Sequence, residues 1–73
     1  MTLDKKLARL RKREGLSQAE VSEELDVSRQ AVTKWETGTS RPSIENLQSL
    51  SRLYNVQLEY LLDESEDELP APA

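Results

Sequence analysis

The chain has 73 residues, a net charge of −4 at pH 7, and neither cysteine nor histidine. A chain of this length forms one domain with a modest core, and the missing residue types exclude disulfides, thiolate or imidazole zinc sites, and the commonest general base of enzymes. No segment is apolar enough for a membrane span or a signal peptide, so we expect a cytoplasmic protein. Since histidine, cysteine and a phosphate-binding loop are all missing from the sequence, we expect that it is not an enzyme and needs no cofactor.

The first predicted helix lies in TLDKKLARLRKREG, where three leucines share one face at positions 3, 7 and 10. Thr2 is available as its N-cap, and Gly15 follows its end as a C′ glycine would. Six of the ten Lys and Arg residues lie in the first thirteen positions. We interpret these basic residues mostly as a solvated face that adds long-range attraction for a polyanion.

The second predicted helix has a strong start signal in LSQAEVSEEL. Ser17 and Glu20 have the spacing of a capping box, and Leu16 and Val21 stand where a hydrophobic staple requires apolar residues. This pattern predicts a helix that begins directly after Ser17.

The third predicted helix repeats that pattern eleven residues later, in VSRQAVTKWETG. Ser28 is the N-cap, Val27 and Val32 are the staple, and Trp35 shares the inner face with Val32. Gly38 ends the helix. Trp35 is therefore predicted to belong to the core and not to a surface that stacks on bases.

Two more helices follow the polar link TSRP. Ser43 caps the fourth, Asn55 ends it, and its apolar stripe comprises Ile44, Leu47, Leu50, Leu53 and Tyr54. The fifth, LEYLL, has only Gln57 as an indifferent cap. No run alternates apolar and polar residues as a strand would, so the sequence predicts an all-α fold of five helices.

The end of the chain differs in composition from the rest. Residues 63–73, DESEDELPAPA, hold five of the fourteen carboxylates, so residues 1–62 carry a formal charge of +1. We predict a folded domain over residues 1–62, followed by an acidic, Pro/Ala-containing disordered tail or a linker stub. As a linker it would lead to a missing C-terminal sensor or dimerisation domain, and as a tail it would be the natural end of a small protein; in the second case its acidic residues are available to bind a partner protein.

The second and third helices are separated only by the turn DVS, which forces them to cross steeply. Inner contacts would come from Val21, Leu25, Val27, Val32 and Trp35. Over residues 3–62 the chain resembles the lambda repressor-like, or Xre, family of helix-turn-helix regulators in LSQAEVSEEL, VSRQAVTKWETG, RPS and YNVQLEYLL. Ser22 and Asp26 replace the alanine and glycine that the family prefers, yet serine is small and aspartate tolerates left-handed backbone.

The third helix, residues 29–37, is predicted to enter the major groove of DNA. Arg can grip guanine, Gln can grip adenine, and Thr can touch a thymine methyl or accept a bond. The resemblance implies the same base-contacting set as this geometry: Ser28, Arg29, Gln30, Thr33 and Lys34. On its own, a polar helical face is more often exposed to solvent without binding anything. The capped second helix and the short turn before the third make DNA binding the favoured interpretation here.

Other residues are predicted to contact phosphates. The resemblance implies this role for Gln18, which is the first residue of the second helix, and for Thr39, Ser40 and Arg41, which lie in the link after the third helix. It also implies that Arg11 pairs with Glu36 while facing the DNA backbone, a role that is half structural.

These patterns predict a sequence-specific regulator of transcription, usually a repressor in this family, that binds a palindromic operator in double-stranded DNA as a homodimer. The expected dimer patch is Gln57, Leu58 and Glu59, although Leu58 can equally belong to its own core. The alternative is a protein-interaction module with the same fold, such as half of an antitoxin or a transcriptional bridging factor.

Overall fold

The computed structural model describes residues 1–65, which form five helices joined by short links. The helices are α1 (Leu3–Arg13), α2 (Gln18–Leu25), α3 (Arg29–Thr37), α4 (Ile44–Tyr54) and α5 (Leu58–Leu62). This part of the chain contains no strand, so the predicted all-α fold is confirmed. None of these helices is long and apolar enough to cross a bilayer. The predicted tail falls largely outside the described residues, because only its first three positions belong to them.

Serine side chains start three of the helices, as predicted. Ser17 Oγ accepts from the backbone N–H of Glu20 at 3.0 Å, and the Glu20 carboxylate accepts from the Ser17 N–H at 2.9 Å. This is the complete capping box. Ser28 and Ser43 cap α3 and α4 through the N–H three residues later, at 3.1 and 3.2 Å. Thr2 is the N-cap of α1 by backbone position only, because its side chain bonds to the Asp4 carboxylate instead.

Four helices end with one residue in the left-handed conformation, namely Gly15, Asp26, Gly38 and Asn55. In each case the next N–H donates to the carbonyl five residues earlier, as Val27 N does to Ser22 O at 3.0 Å. Asp26 adopts φ 56° and ψ 47°, so aspartate does take the place of glycine in the turn between α2 and α3. The residues after three of these turns, Leu16, Val27 and Val56, pack against the core.

All five helices contribute apolar side chains to one core, which contains Leu3, Leu7, Leu10, Val21, Val32, Trp35, Leu47, Leu50, Tyr54 and Leu61. Helix α3 packs against both α1 and α2, while α4 packs against α2 and α5. Trp35 is only 5% exposed, which confirms that it is a core residue. The inner face of α3 is thus fixed, and its outer face is left to solvent.

Ile44 departs from the predicted apolar stripe of α4, because it is 55% exposed. It is the first residue of α4, one turn before the buried Leu47, and side chains in a helix point toward its N-terminus. Ile44 therefore extends past the edge of the core, where Pro42 is the buried residue.

Lys6 corrects the interpretation of the α1 basic residues as a solvated face, because it is fully buried. Its ammonium donates to the carbonyl oxygens of Tyr60, at 2.6 Å, and of Asp63. It also lies 4.2 Å from the centre of the Tyr60 ring. The last carbonyls of a helix lack intrahelical donors, and Lys6 supplies one. The start of the acidic segment is held nearby, since the N-terminal ammonium donates to Glu64 O at 2.8 Å.

Candidate nucleic-acid interface

The structure brings the predicted base-contacting residues together on the outer face of α3. Arg29, Gln30, Thr33 and Lys34 line one shallow depression in the surface. Thr33 is half-buried, whereas the other three side chains are exposed. Ser28 is exposed at the start of the helix, where its oxygen accepts from the backbone as the N-cap. This face presents hydrogen-bond donors and acceptors on an α-helix, and an α-helix fits into the major groove of DNA.

A chain of polar contacts lies beneath this face and joins α1, α2 and α3. Arg11 forms two parallel hydrogen bonds with the Glu36 carboxylate, of 2.8 and 3.0 Å, and a third with Leu16 O at 2.9 Å. Gln18 Nε2 donates to the same carboxylate at 3.2 Å. Gln18 Oε1 accepts from the Thr33 hydroxyl at 2.9 Å. The outer face of α3 is therefore tied to the body by side chains from two other helices.

The Arg11–Glu36 ion pair is largely removed from solvent, with the two side chains 14% and 5% exposed. The hydrogen bond to Glu36 raises the pKa of the Arg11 guanidinium. Breaking one partner of such a pair leaves an uncompensated charge in the interior. The structural half of the role predicted for Arg11 is thus visible in its contacts, and its phosphate contact stays a prediction.

Gln18 is held at both ends of its amide, and its bond to Thr33 was not predicted from the sequence. A signal for this bond did exist. Thr33 and Glu36 are three residues apart in α3 and share one face of that helix. Because Glu36 was expected to pair with Arg11 of α1, Thr33 on the same face of α3 should also point toward the other helices and can contact α2. The phosphate contact of Gln18 stays a prediction.

The link after α3 presents its side chains to solvent. The backbone N–H groups of Thr39 and Ser40 donate to Lys34 O at 2.9 and 3.3 Å, so they complete the end of α3. The phosphate contacts predicted here would therefore use the side chains of Thr39, Ser40 and Arg41, all of which are exposed, and they stay a prediction. The Arg41 guanidinium lies 3.5 Å from the Glu64 carboxylate, which places an acidic side chain beside the predicted phosphate-contacting residues.

The expected dimer patch has a mixed environment. Gln57 and Glu59 are exposed, while Leu58 is half-buried and packs against the core. The homodimer stays a prediction. Among residues 1–65, no group of three or more carboxylates is placed to hold a metal ion. The chemistry available at the α3 face is that of hydrogen bonding and charge.

Comparison with known proteins identifies the family. A family profile described as Helix-turn-helix matches residues 7–61. The chain belongs to the helix-turn-helix family. Its relatives include the HTH-type transcriptional activator BcrR of Enterococcus faecalis, 38% identical over 90% of this chain and 32% of the relative. They also include the HTH-type transcriptional regulator ImmR of Bacillus subtilis, 35% identical over 90% of this chain and 52% of the relative.

The solved structures agree with the family. The P22 c2 repressor in complex with a synthetic operator superposes with a TM-score of 0.79, at 28% identity, over 84% of this chain and 92% of that one. The predicted lambda repressor-like architecture is therefore confirmed. The chain carries the helix-turn-helix domain of a family whose members are DNA-binding transcriptional regulators and not enzymes. It spans between about a third and about a half of the length of its two curated relatives.

Proposed function

We propose that this helix-turn-helix domain recognises a palindromic operator in double-stranded DNA as a homodimer, with α3 in the major groove, and acts as a repressor. The observation that carries the proposal is the outer face of α3, where Arg29, Gln30, Thr33 and Lys34 share one surface above a buried inner face. A rigid helix that presents hydrogen-bonding groups in this way suits readout of base edges.

Each side chain of the face has a defined task in this proposal. Arg29 grips guanine O6 and N7 with two bonds, and Gln30 grips adenine N6 and N7. Ser28 contacts a base next to the helix start, and Lys34 reaches a base or a phosphate. Both long charged side chains are exposed, so no internal contact has to break before they bind.

Phosphate contacts on both sides position the helix. On one side, Gln18 uses the amide hydrogen that is not directed at Glu36, beside the N-terminus of α2. Arg11 supports this side from below. On the other side, the hydroxyls of Thr39 and Ser40 and the guanidinium of Arg41 form a clamp. Binding there requires Arg41 to leave Glu64, an exchange that costs little because the ion pair is exposed.

Two copies of the domain are needed, because one helix reads only a few base pairs. A homodimer formed through Gln57, Leu58 and Glu59 reads two half-sites about 10 base pairs apart or a multiple of that. Repression is the simpler mode, since occupancy of a promoter is enough for it. The names of the relatives cover both modes, because BcrR is called an activator and the P22 protein a repressor.

Selection of bound duplexes from a random pool tests the proposal. We expect a palindrome to be enriched, and we expect Arg29→Ala to lose about 1–3 kcal/mol at one base position. Arg41→Ala should weaken binding to all sequences alike and flatten the salt dependence by about one unit of slope. Arg52→Ala is the matched control, because Arg52 is an exposed arginine on α4, beside α2, and does not belong to the proposed DNA-contacting residues.

The outcomes separate the two functions. If Arg29→Ala keeps both affinity and base preference, the major-groove assignment is wrong. If no sequence is enriched and a protein partner co-purifies instead, the domain is a protein-interaction module.

A further inference from the structure

The Thr33 hydroxyl lies between two acceptors. Its oxygen is 2.9 Å from Gln18 Oε1 and 3.2 Å from the carbonyl oxygen of Arg29, one turn earlier in α3. A hydroxyl has one hydrogen and two lone pairs. Because both neighbours are acceptors, the hydroxyl hydrogen is donated within the protein, either to Gln18 Oε1 or to Arg29 O. Toward any other partner, the Thr33 oxygen is an acceptor only.

The acceptor role of the Thr33 oxygen depends on the orientation of the Gln18 amide, which its partners determine. Amide oxygen and nitrogen are distinguished by their partners, and here one partner is the Glu36 carboxylate. An ionised carboxylate only accepts, so Gln18 must direct Nε2 at it and Oε1 at Thr33. The carboxylate itself cannot turn away, because Arg11 holds both of its oxygens.

We propose that Thr33 is a specificity-determining residue that reads an exocyclic amino group, so that the base opposite it is adenine or cytosine. The inference rests on the proposed function, since it needs α3 in the major groove. Threonine ordinarily bonds to any base, because its hydroxyl can donate or accept. The contacts of Thr33 remove the donating option and with it the hydrogen bonds to guanine and thymine. A contact between the Thr33 methyl group and a thymine methyl involves no hydroxyl and survives in Thr33→Val, so the test below separates it from the hydrogen bond.

The major groove presents the two kinds of base differently. Adenine N6 and cytosine N4 are donors there, whereas guanine offers only acceptors and thymine offers O4 and a methyl group. Only an amino group satisfies an acceptor-only oxygen. Arg29 carries only donors and lies one turn from Thr33 on the same surface. The pair therefore reads opposite polarities: an acceptor edge such as guanine at Arg29, and an amino group at Thr33.

The test compares Thr33→Val, which keeps the shape and loses the oxygen, with Thr33→Ser, which keeps the hydroxyl. Each variant and the wild type are titrated with operators that carry all four bases at each position. The position at which only Thr33→Val loses preference should hold adenine or cytosine. We expect that loss to be about threefold to tenfold, the size of one neutral hydrogen bond.

Deletion of the amino group then isolates the contact. Adenine is replaced by purine, or cytosine by 2-pyrimidinone, at the position identified. The deletion should weaken binding of the wild type and of Thr33→Ser, and the penalty should be about threefold to tenfold smaller for Thr33→Val. Weakened base pairing affects all three proteins equally and cancels in the comparison. Thermal melting and affinity for unrelated DNA verify that Thr33→Val is folded.

Failure of this inference is distinct from failure of the proposed function. If Arg29→Ala changes base preference while Thr33→Val matches the wild type everywhere, the function stands and the Thr33 assignment is overturned. A guanine or thymine at the Thr33-sensitive position overturns it as well, as does an equal amino-deletion penalty in all three proteins. If neither Arg29 nor Thr33 affects base preference, the proposed function itself fails.

Discussion

Replacement of Arg11 by methionine should reveal how much stability depends on the contacts beneath α3. Methionine keeps most of the apolar stem of the side chain and removes the guanidinium, so packing changes little. Three hydrogen bonds are lost, two to Glu36 and one to Leu16 O. The Glu36 carboxylate, only 5% exposed, then retains a single amide donor, from Gln18.

The magnitude follows from the burial of the pair. Removing one partner of a fully buried ion pair costs roughly 3–5 kcal/mol. The Arg11 side chain is 14% exposed, so water reaches the vacated site, and we expect about 2–4 kcal/mol. A domain of this size has a free energy of unfolding of about 4–11 kcal/mol, so this is a large share. The melting temperature should fall by about 10–30 °C.

Urea and thermal denaturation followed by circular dichroism measure this effect. Arg9→Met is the matched control on the same helix, because Arg9 is exposed, and it should change stability by less than about 0.5 kcal/mol. The double variant Arg11→Met, Glu36→Met should recover at least about 1 kcal/mol relative to Arg11→Met, since no buried charge remains. An Arg11→Met protein as stable as Arg9→Met would refute the reasoning, as would purely additive losses in the double variant.

Three further predictions concern contacts outside this ion pair. Lys6→Met should cost roughly 1–3 kcal/mol in urea denaturation and speed amide exchange in α5, because the last carbonyls of α5 lose their donor. Burial raises the pKa of the Tyr54 phenol. The unfolded chain therefore ionises first, and the free energy of unfolding, measured in urea, should begin to fall as pH rises past about 10. Glu64→Gln should strengthen DNA binding at low salt by up to about threefold, because it releases Arg41 from an exposed ion pair.

Each of these has a matched comparison. Lys5→Met, at an exposed position of α1, should leave stability unchanged, and equal losses at positions 5 and 6 would contradict the capping role. Tyr54→Phe should remove part of the alkaline decline, so an identical pH profile would contradict the assignment to Tyr54. The gain from Glu64→Gln should vanish in an Arg41→Ala background, and its persistence there would show that Arg41 is not involved.

The helices could be predicted from the sequence because their signals are local. The capping box of Ser17 and Glu20 and the left-handed Gly38 and Asn55 each involve residues a few positions apart. Such short-range bonds form in the same way whatever surrounds them. The set of residues on the outer face of α3 follows from the same local geometry, once the inner face is identified by Val32 and Trp35.

The contacts of Lys6 and Gln18 could not be predicted in the same way, because their partners are distant in the chain. Lys6 donates to backbone carbonyls 54 and 57 residues later, and no side-chain pattern marks a carbonyl. A weak signal was present all the same. Lys6 shares a helical face with Leu3 and Leu10, and a charge on an apolar face needs a partner. The sequence could indicate that a partner exists but not where it lies.

Stability and base reading should be separable through Glu36, because this one carboxylate both pairs with Arg11 and orients Gln18. In the double variant Arg11→Met, Glu36→Met the buried charge is gone, so much of the stability returns. Gln18 has then lost the acceptor that fixed its amide. The amide is free to turn and direct Nε2 at the Thr33 oxygen. The hydroxyl hydrogen then has only the 3.2 Å bond to Arg29 O left inside the protein, so it can turn toward an acceptor on a base and Thr33 regains the donating option.

We therefore expect the double variant to fold, to bind DNA with the Arg29 preference intact, and to lose discrimination at the Thr33 position. Titration with the amino-deleted duplex measures this, and the penalty of the deletion should fall toward that of Thr33→Val. Loss of the predicted Arg11 phosphate contact would weaken binding to all sequences alike, so a changed base preference would come from the orientation of the Gln18 amide. A stable double variant that still discriminates fully at that position would show that the bond to Arg29 O alone fixes the Thr33 hydroxyl.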